Sequence, residues 1–481
     1  MWKNDFCAEC EKTVELLINY CRFDDIVGVF DTTKECDYIL VRLLDKTSLC
    51  MPKRKLKEDS MIKVFLWSSL FFVFLSSPSA QSGSIHSKPN IVLIMADDLG
   101  YETLSVNGGQ SYQTPNLDRL AHSGALFTNA FSQPLCTPSR VKLMTGLSNI
   151  RNYVKFGRLE RSETTFANLM KKAGYKTVVA GKWQLGTEAD SPTHFGFSQS
   201  LLWQHTTEDA STTRPALKKK YDSRYPNPEL QRNGHMEYFD SGEYGPDLMS
   251  KYLTNSIANN KEVPFLIYYP MLLPHAPFEP TPDSQHWDGT KWGALKYRGD
   301  GDIAYQQNNF ADMVNYMDKI VGTISDSLKE HGLAENTLII FIGDNGSDYP
   351  QESLWRDRVV KGGKGTLTDT GVRVPMVVSW PGTVEPGLVT DELIDFSDFL
   401  PTILEVAQIP MPQNFTSDGK SFYSTLLGKP GRQKKSVYLW YRTKQGGTEV
   451  MVRNKKYSLV KNHIEGYGIQ WTFWDASKRF Q

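Results

Sequence analysis

From residue 90 onward the chain repeats one arrangement: a short unbroken apolar run, then a stretch with the spacing of an amphipathic helix. NIVLIMA (90–96), KTVVAG (176–181), PFLIYYP (264–270), TLIIFIG (337–343) and VPMVVSW (374–380) lack polar alternation, which predicts strands covered on both faces. Between them PNLDRLAHSG (115–124) opens on Pro and closes on Gly, and TTFANLMKKAG (164–174) also closes on Gly; both read as short helices. Longer helical patterns cover 247–260 and 308–330. This alternation predicts an α/β fold, a mostly parallel sheet with helices on both faces. No internal repeat or low-complexity tract interrupts it. Beyond a Pro-rich link at 408–419, VYLWYR (437–442) and TEVMVRNKKYSLVKN (448–462) read as antiparallel strands with polar turns. The expected domains are therefore 81–410 and a small C-terminal subdomain at 411–481, which stops at Gln481 without an obvious closing element, either its natural end or a truncation.

The first 80 residues follow another pattern. Residues 1–60 hold Cys7, Cys10, Cys21, Cys36 and Cys50, five of the six cysteines. They are either a cytosolic leader with a metal-binding Cys7-x-x-Cys10 pair or, the favoured reading, a doubtful upstream stretch joined to the frame. Lys63 and the basic run at 53–57 then precede an apolar segment at 64–75, shorter than the roughly 20 residues a membrane-spanning helix needs. Small residues follow up to Ala80, so 61–80 is read as a signal peptide. The mature chain would begin near Gln81 in a secreted or periplasmic setting, with Cys136 its only cysteine and no internal disulfide. Lys plus Arg and Asp plus Glu each number 54 among 481 residues. That neutral total gives no sign of a nucleic-acid or membrane-surface partner, although local basic patches can hide inside it.

Candidate chemistry collects where the strands end, the side on which open α/β sheets bind ligands. NIVLIMA runs into Asp97-Asp98 and TLIIFIG into Asp344-Asn345. One such pair alone would be read as a helix cap or an Asx turn. Two pairs at two strand ends give three carboxylates and an amide, an all-oxygen set that favours a hard cation, Ca²⁺ or Mg²⁺. In QPLCTPSRVKLMTG (133–146) Pro138 suits the first turn of a helix ending at Gly146. Cys136 would then sit at its mouth, where backbone N–H groups favour an anion, with Arg140 one turn along. Taken alone, a lone cysteine is more often buried and inert.

These residues resemble a known pattern. Cys136-Thr-Pro-Ser-Arg140 is similar to the Cys-x-Pro-x-Arg signature of the type I sulfatases, in the alkaline phosphatase superfamily. There the cysteine is oxidised to formylglycine, an aldehyde that works as its hydrate. PNIVLIMADDLGY, TPNLDRLAHSGALFTNAF, AGKWQLG, PHAPFEP, FIGDNG and GGKGTLTDTGVRVPMVVSWPG resemble that family's further motifs in order, from about Lys88 to Tyr457. The resemblance implies an alkaline-phosphatase-like fold and a calcium ion held by Asp97, Asp98, Asp344 and Asn345 with the converted Cys136 beside it. It implies that Arg140 supports the formylglycine, that Lys182 and Lys364 grip the sulfate, and that His275 protonates the leaving alcohol. It also implies a formylglycine-generating enzyme as a partner during maturation. A hydrate hydroxyl would attack sulfur, and loss of a proton from the second hydroxyl would then expel sulfate and restore the aldehyde.

Charge points the same way without the resemblance. Three carboxylates against a divalent cation, Arg140, Lys182 and Lys364 leave about two positive charges, and unpaired buried charge is costly. Each cation about 4 Å from a bound anion is worth roughly 4 kcal/mol at an effective dielectric near 20, before desolvation. One position departs from the pattern: Gln184 stands where the family has a histidine assisting the second step, and an amide cannot accept that proton. It can still hydrogen-bond the sulfate or position a water.

Residues 187–262 are the least family-like. Trp203, His205, Arg214 and Lys218-Lys219-Lys220, with Trp287, Trp292 and Arg298 further on, suit either a sulfated-sugar surface or a solvated insertion. Asn345-Gly-Ser347 and Asn414-Phe-Thr416 match the glycosylation sequon; none is expected at Asn345, where it would destroy the metal site. The expected activity is hydrolysis of a sulfate monoester, most readily on a sulfated carbohydrate. The alternatives are a phosphonate or phosphodiester hydrolase of the same fold and an inactive sugar-binding homologue.

Overall fold

The computed structural model describes residues 88–203, 224–289, 302–430, 434–442, 447–464 and 468–475. The leader and signal-peptide readings, and His205, Arg214, Lys218-Lys219-Lys220, Trp292 and Arg298, lie outside the described residues. The main sheet takes, in chain order, β1 (Asn90–Ala96), β2 (Ala125–Phe131), β3 (Lys176–Lys182), β4 (Gln199–Trp203), β5 (Glu229–Arg232), β6 (His235–Tyr238), β7 (Phe265–Pro270) and β8 (Thr337–Gly343). After a separate hairpin, β9 (Glu352–Trp355) and β10 (Arg358–Lys361), it is completed by β11 (Arg373–Ser379) and β12 (Leu388–Asp395). Across the sheet the order is β12-β2-β11-β8-β1-β7-β3-β4-β5-β6.

The expected apolar runs form its middle. β8, β1, β7, β3 and β4 are parallel neighbours, buried because helices cover both faces. Ile91, Leu93 and Met95 of β1 face one core, packed by Val141, Leu143 and Met144 of the helix Cys136–Thr145 and by Phe399 and Ile403 of the helix Phe399–Val406. Val92 and Ile94 face the other, packed by Leu117 and Leu120 of the helix Pro115–His122, Leu253 of Gly245–Asn259 and Met313 and Met317 of Ile303–Glu330. Period-two side chains thus enter two cores, which is why no polar position breaks the run. Each fully buried Ile or Leu contributes about 1.5–3 kcal/mol before entropy is charged. VPMVVSW is a strand as expected, but it runs antiparallel to both of its neighbours, β8 and β2. The last long helix begins at Ile303, before the pattern that starts at 308, because Asp302 caps it by accepting from the Ala304 amide at 3.1 Å.

β13 (Val437–Arg442), β14 (Thr448–Arg453), β15 (Tyr457–Ile464) and β16 (Gly468–Asp475) form a second, antiparallel sheet in sequential order. Its Val437, Leu439, Met451 and Val460 share one core with Phe131, Leu367, Val372 and Leu393 of the main body. Among the described residues, no helix is long and apolar enough to cross a membrane.

Candidate active site

Register brings the acidic pairs together. β1 and β8 are in parallel register with Ala96 opposite Gly343, so the next residues of each strand, Asp97-Asp98 and Asp344-Asn345, leave the sheet side by side. The Asp344 amide donates to the Ala96 carbonyl at 2.9 Å and the Asp98 amide to Asp344 Oδ1 at 3.0 Å. Asn345 Nδ2 donates to Asp98 Oδ1 at 2.8 Å, while Asn345 Oδ1, buried, meets no hydrogen-bond partner. Asp98 takes the turn with φ 65°, a left-handed conformation that Asp tolerates better than most residues.

The next two strands supply the other groups. β7 lies on the far side of β1, and its loop bonds back through the Asp97 amide to Leu273 O at 3.0 Å. His275 in that loop places Nε2 3.6 Å from Asp98 Oδ2. β3 ends on Lys182, whose Nζ lies 2.7 Å from Asp97 Oδ2. Gly181 before it has φ 126°, and a side chain there would run into the Pro270 carbonyl, so only glycine lets β3 and β7 close up at this end.

The helix Cys136–Thr145 stops at Gly146 in the left-handed region and points its N-terminus at the cluster. Cys136 Sγ donates to Asp97 Oδ1 at 3.3 Å and Asp98 Oδ1 at 3.7 Å. Ser139 Oγ donates to Asp344 O at 2.6 Å. Fully buried Arg140 joins Asp344 Oδ2 at 3.2 Å and the Lys182 carbonyl at 2.7 Å. Lys364 reaches in from the glycine loop after β10, with Nζ 2.5 Å from Asp98 Oδ2. Asp97, Asp98, Cys136 and His275 each offer one ligand atom, all within 4.8 Å of one another. Asp344 and Asn345 join this group through their bonds to Asp98. The site thus gathers every residue singled out at the strand ends. Gln184, two residues past Lys182, is buried, at φ 54°, with Oε1 unpartnered.

Charges here are held by one another. Burial alone would raise Asp97, but Lys182, then Arg140 and Lys364, hold it well below the ordinary carboxylate range. Asp344 goes the other way: burial, and then the Asp97 charge, push it up to about 7. Asp98 is raised by burial, against Lys364. Burial and Lys182 lower His275 and favour a neutral imidazole. Burial and the Asp344 charge raise the Cys136 thiol well above its usual value, so as a thiol it is a poor nucleophile.

Sequence reasoning missed Arg224 and Tyr225, which brace His275, and Glu102. Glu102 is buried and accepts from Ser347 Oγ at 2.7 Å, and that oxygen in turn takes the Gly100 amide at 3.1 Å, tying the two acidic loops together. A Glu inside an otherwise apolar stretch beside the acidic pair was the available signal. Arg224 had none, since it lies in a region that reads as an insertion.

Comparison with known proteins agrees with this architecture. Residues 89–409 match the family model Sulfatase, and residues 363–479 match N-sulphoglucosamine sulphohydrolase, C-terminal. Arylsulfatase A of Homo sapiens is 32% identical over 378 residues, covering 73% of this chain and 70% of that protein. N-acetylgalactosamine-6-sulfatase of Mus musculus is 29% identical over 418 residues, covering 82% and 74%. The crystal structure of Ps i-CgsB in complex with k-i-k-neocarrahexaose aligns with TM-score 0.65 at 26% identity, over 81% of this chain and 87% of that one. A structure in complex with its substrate D-glucosamine-2-N,6-O-disulfate shares the fold, with TM-score 0.66 at 20% identity over 81% and 92%. Fold and matches define the class: a mixed α/β hydrolase with a small antiparallel sheet at its C-terminal end. The chain belongs to the sulfatase family, and its activity is that of a sulfuric ester hydrolase.

Proposed function

We propose that this protein hydrolyses sulfate monoesters on a sulfated carbohydrate, using a formylglycine made from Cys136 beside a calcium ion. The observation that carries the reading is the seat of Cys136: first residue of a buried helix, against Asp97 and Asp98, amid Arg140, Lys182 and Lys364. A thiol held neutral there has little use as a thiol, whereas a precursor does. Asp97, Asp98, Asp344 and Asn345 would hold the ion, and they suit it: hard oxygen donors, all buried, one of them the unpartnered Asn345 Oδ1. When bound, calcium would supply Lewis acidity that makes the attacking hydroxyl more acidic and offsets charge on the sulfate oxygens.

The chain's own residues do the rest. Arg140 fixes residue 136 against the strand ends. Lys182 and Lys364 bind the sulfate oxygens, charge-assisted contacts that strengthen as negative charge grows. His275 donates to the departing oxygen, and Gln184 hydrogen-bonds the sulfate or a water. A sugar substrate is supported by the carbohydrate bound to the structural relative at 26% identity and by the likeness to N-acetylgalactosamine-6-sulfatase. Export follows from the apolar run at 64–75 and its small-residue flank, and the conversion of Cys136 calls for a formylglycine-generating enzyme.

Mass measurement of the tryptic peptide around Cys136, from protein made in its own host, tests this. The expected peptide is lighter by the difference between a thiol and an aldehyde. An unmodified thiol would instead favour the sugar-binding homologue. Rates on 4-nitrophenyl sulfate and bis(4-nitrophenyl) phosphate are expected to favour the sulfate, and the reverse order would make the protein a phosphodiester hydrolase.

A further inference from the structure

His275 is flanked on its other nitrogen by a group that the strand-end motifs do not include. Arg224 NH1 lies 3.0 Å from His275 Nδ1, and the Ala276 carbonyl lies 2.5 Å from the same atom. The guanidinium is itself fixed. It stacks on the ring of Trp203, 4.1 Å from its centroid, and Trp203 is the last residue of β4, paired in register with Lys182. Arg224 O abuts Gly245, where a side chain would strike it, and the Gly245 amide donates to Tyr225 O at 2.8 Å. The Tyr225 hydroxyl sits within reach of the carbonyls of Leu272, at 2.9 Å, and of His275, at 2.5 Å. Arg224 and Tyr225 therefore tie the His275 loop to β4, the neighbour of the strand that carries Lys182.

A neutral imidazole has one proton, and the neighbours of its two nitrogens decide where it sits. Guanidinium is a donor only and does not lose its proton in a protein, so it can bond Nδ1 only through a lone pair. That places the proton on Nε2, which faces Asp98 Oδ2 at 3.6 Å, an acceptor. A proton on Nδ1 would satisfy Ala276 alone. It would oppose the Arg224 N–H and turn a lone pair towards a carboxylate. Among the described residues, the Arg224 donor at Nδ1 and the Asp98 carboxylate facing Nε2 favour Nε2–H.

We propose that Arg224 is a positioning residue that holds His275 as the Nε2–H tautomer, turned to donate a hydrogen bond to the leaving oxygen of the ester. The inference rests on the sulfatase reading above and deepens it. Without Arg224 the Ala276 carbonyl takes the proton to Nδ1, and Nε2 then offers the departing oxygen a lone pair. A neutral imidazole donor of this kind stabilises an oxygen as charge develops on it. Its value grows with the basicity of the leaving group, which makes the proposal testable.

The test compares kcat for phenyl sulfate and 4-nitrophenyl sulfate in wild type, Arg224→Met and Arg224→Lys. Methionine keeps an apolar stem on Trp203 and removes the donor; lysine keeps a donor. Removing one donor to a developing oxyanion typically costs about 100-fold or more in kcat, so Arg224→Met is expected to lose about that on phenyl sulfate. The same variant is expected to lose about tenfold less on 4-nitrophenyl sulfate, whose leaving group needs less help. KM should barely change, and Arg224→Lys should recover part of the loss. Equal losses on the two esters, or a rise in KM alone, would overturn the proposal. A wild-type protein that cleaves neither these esters nor any sulfated sugar would instead overturn the sulfatase reading. A second measurement covers a variant that fails to fold: ¹⁵N signals of labelled histidine in the wild type, with the His275 signal identified by its loss in His275→Gln. An unprotonated Nδ1 is expected, and a protonated one overturns the assignment.

Discussion

Gln184 is the position at which the sequence departs from the sulfatase motif it otherwise resembles. It follows Lys182 by two positions, sits in the left-handed region and leaves Oε1 without a partner. A carboxamide has no proton-accepting nitrogen at neutral pH, so on the mechanism proposed above the step that releases sulfate would lack a base at this position, while the step that releases alcohol would keep His275. Rapid-quench kinetics should then show a burst of alcohol ahead of sulfate, and Gln184→His should shrink it; simultaneous release in the wild type would refute the idea. At this scale much could be read directly from the chain. Asp97, Asp98, Asp344 and Asn345 were legible because each pair follows an unbroken apolar run, and Cys136 because Cys136-Thr-Pro-Ser-Arg140 resembles the Cys-x-Pro-x-Arg signature; its place at a helix start would not have singled it out. Arg224 was not legible. Its role depends on a stack with Trp203 and a contact with His275, 51 positions away, and nothing in the local sequence announces either.

The helix that carries Cys136 is also held from behind. Lys142, on its opposite side from the site, is buried, with Nζ 2.6 Å from Asp395 Oδ2 at the end of β12 and 2.9 Å from the Tyr438 carbonyl on β13. Burial would raise Asp395, but Lys142 and then Lys434 hold it down, at about 2. Breaking one partner of a buried pair leaves an uncompensated charge at a cost of about 3–5 kcal/mol. Lys142→Met is thus expected to lower stability by that amount in urea unfolding, with Lys142→Met/Asp395→Asn, which removes the charge and keeps an acceptor for Ser397, recovering part of it. The pH dependence has a definite sign. A carboxylate held below its unfolded value near 3.8 contributes stability above that pH and loses it as the pH falls towards 2, here about 2 kcal/mol. The double variant should lack this acid-side loss. Elements with strong patterns, β1, β3, β7, β8 and β11, were legible. The short strands β5, β6, β9 and β10 were not, since four residues carry too little periodicity to separate from a loop. The antiparallel course of β11 could not be read either, because an apolar run with both faces covered looks the same in either direction.

For the whole molecule, the question is whether the small sheet is a separate body. The change in composition near residue 411 reads as a boundary, and the antiparallel strands beyond it look self-sufficient. Packing argues otherwise. Leu439 and Met451 share a core with Phe131, at the end of β2, and with Leu367 and Val372, which flank the turn after Lys364. Arg453 pairs with Asp369 and stacks on the Phe131 ring, 4.1 Å from its centroid. The sheet therefore supports the two loops that bring Cys136 and Lys364 to the site, and its loss would be felt there. A fully buried Leu439→Ala should cost about 2–5 kcal/mol. Because the core is shared, that cost should appear in a single unfolding transition: within each protein tryptophan fluorescence and activity on 4-nitrophenyl sulfate should decay together, and the variant should do so at a lower urea concentration than wild type. Activity that survives while the small sheet unfolds in an earlier transition would show two independent bodies and remove the mechanical link between sheet and site.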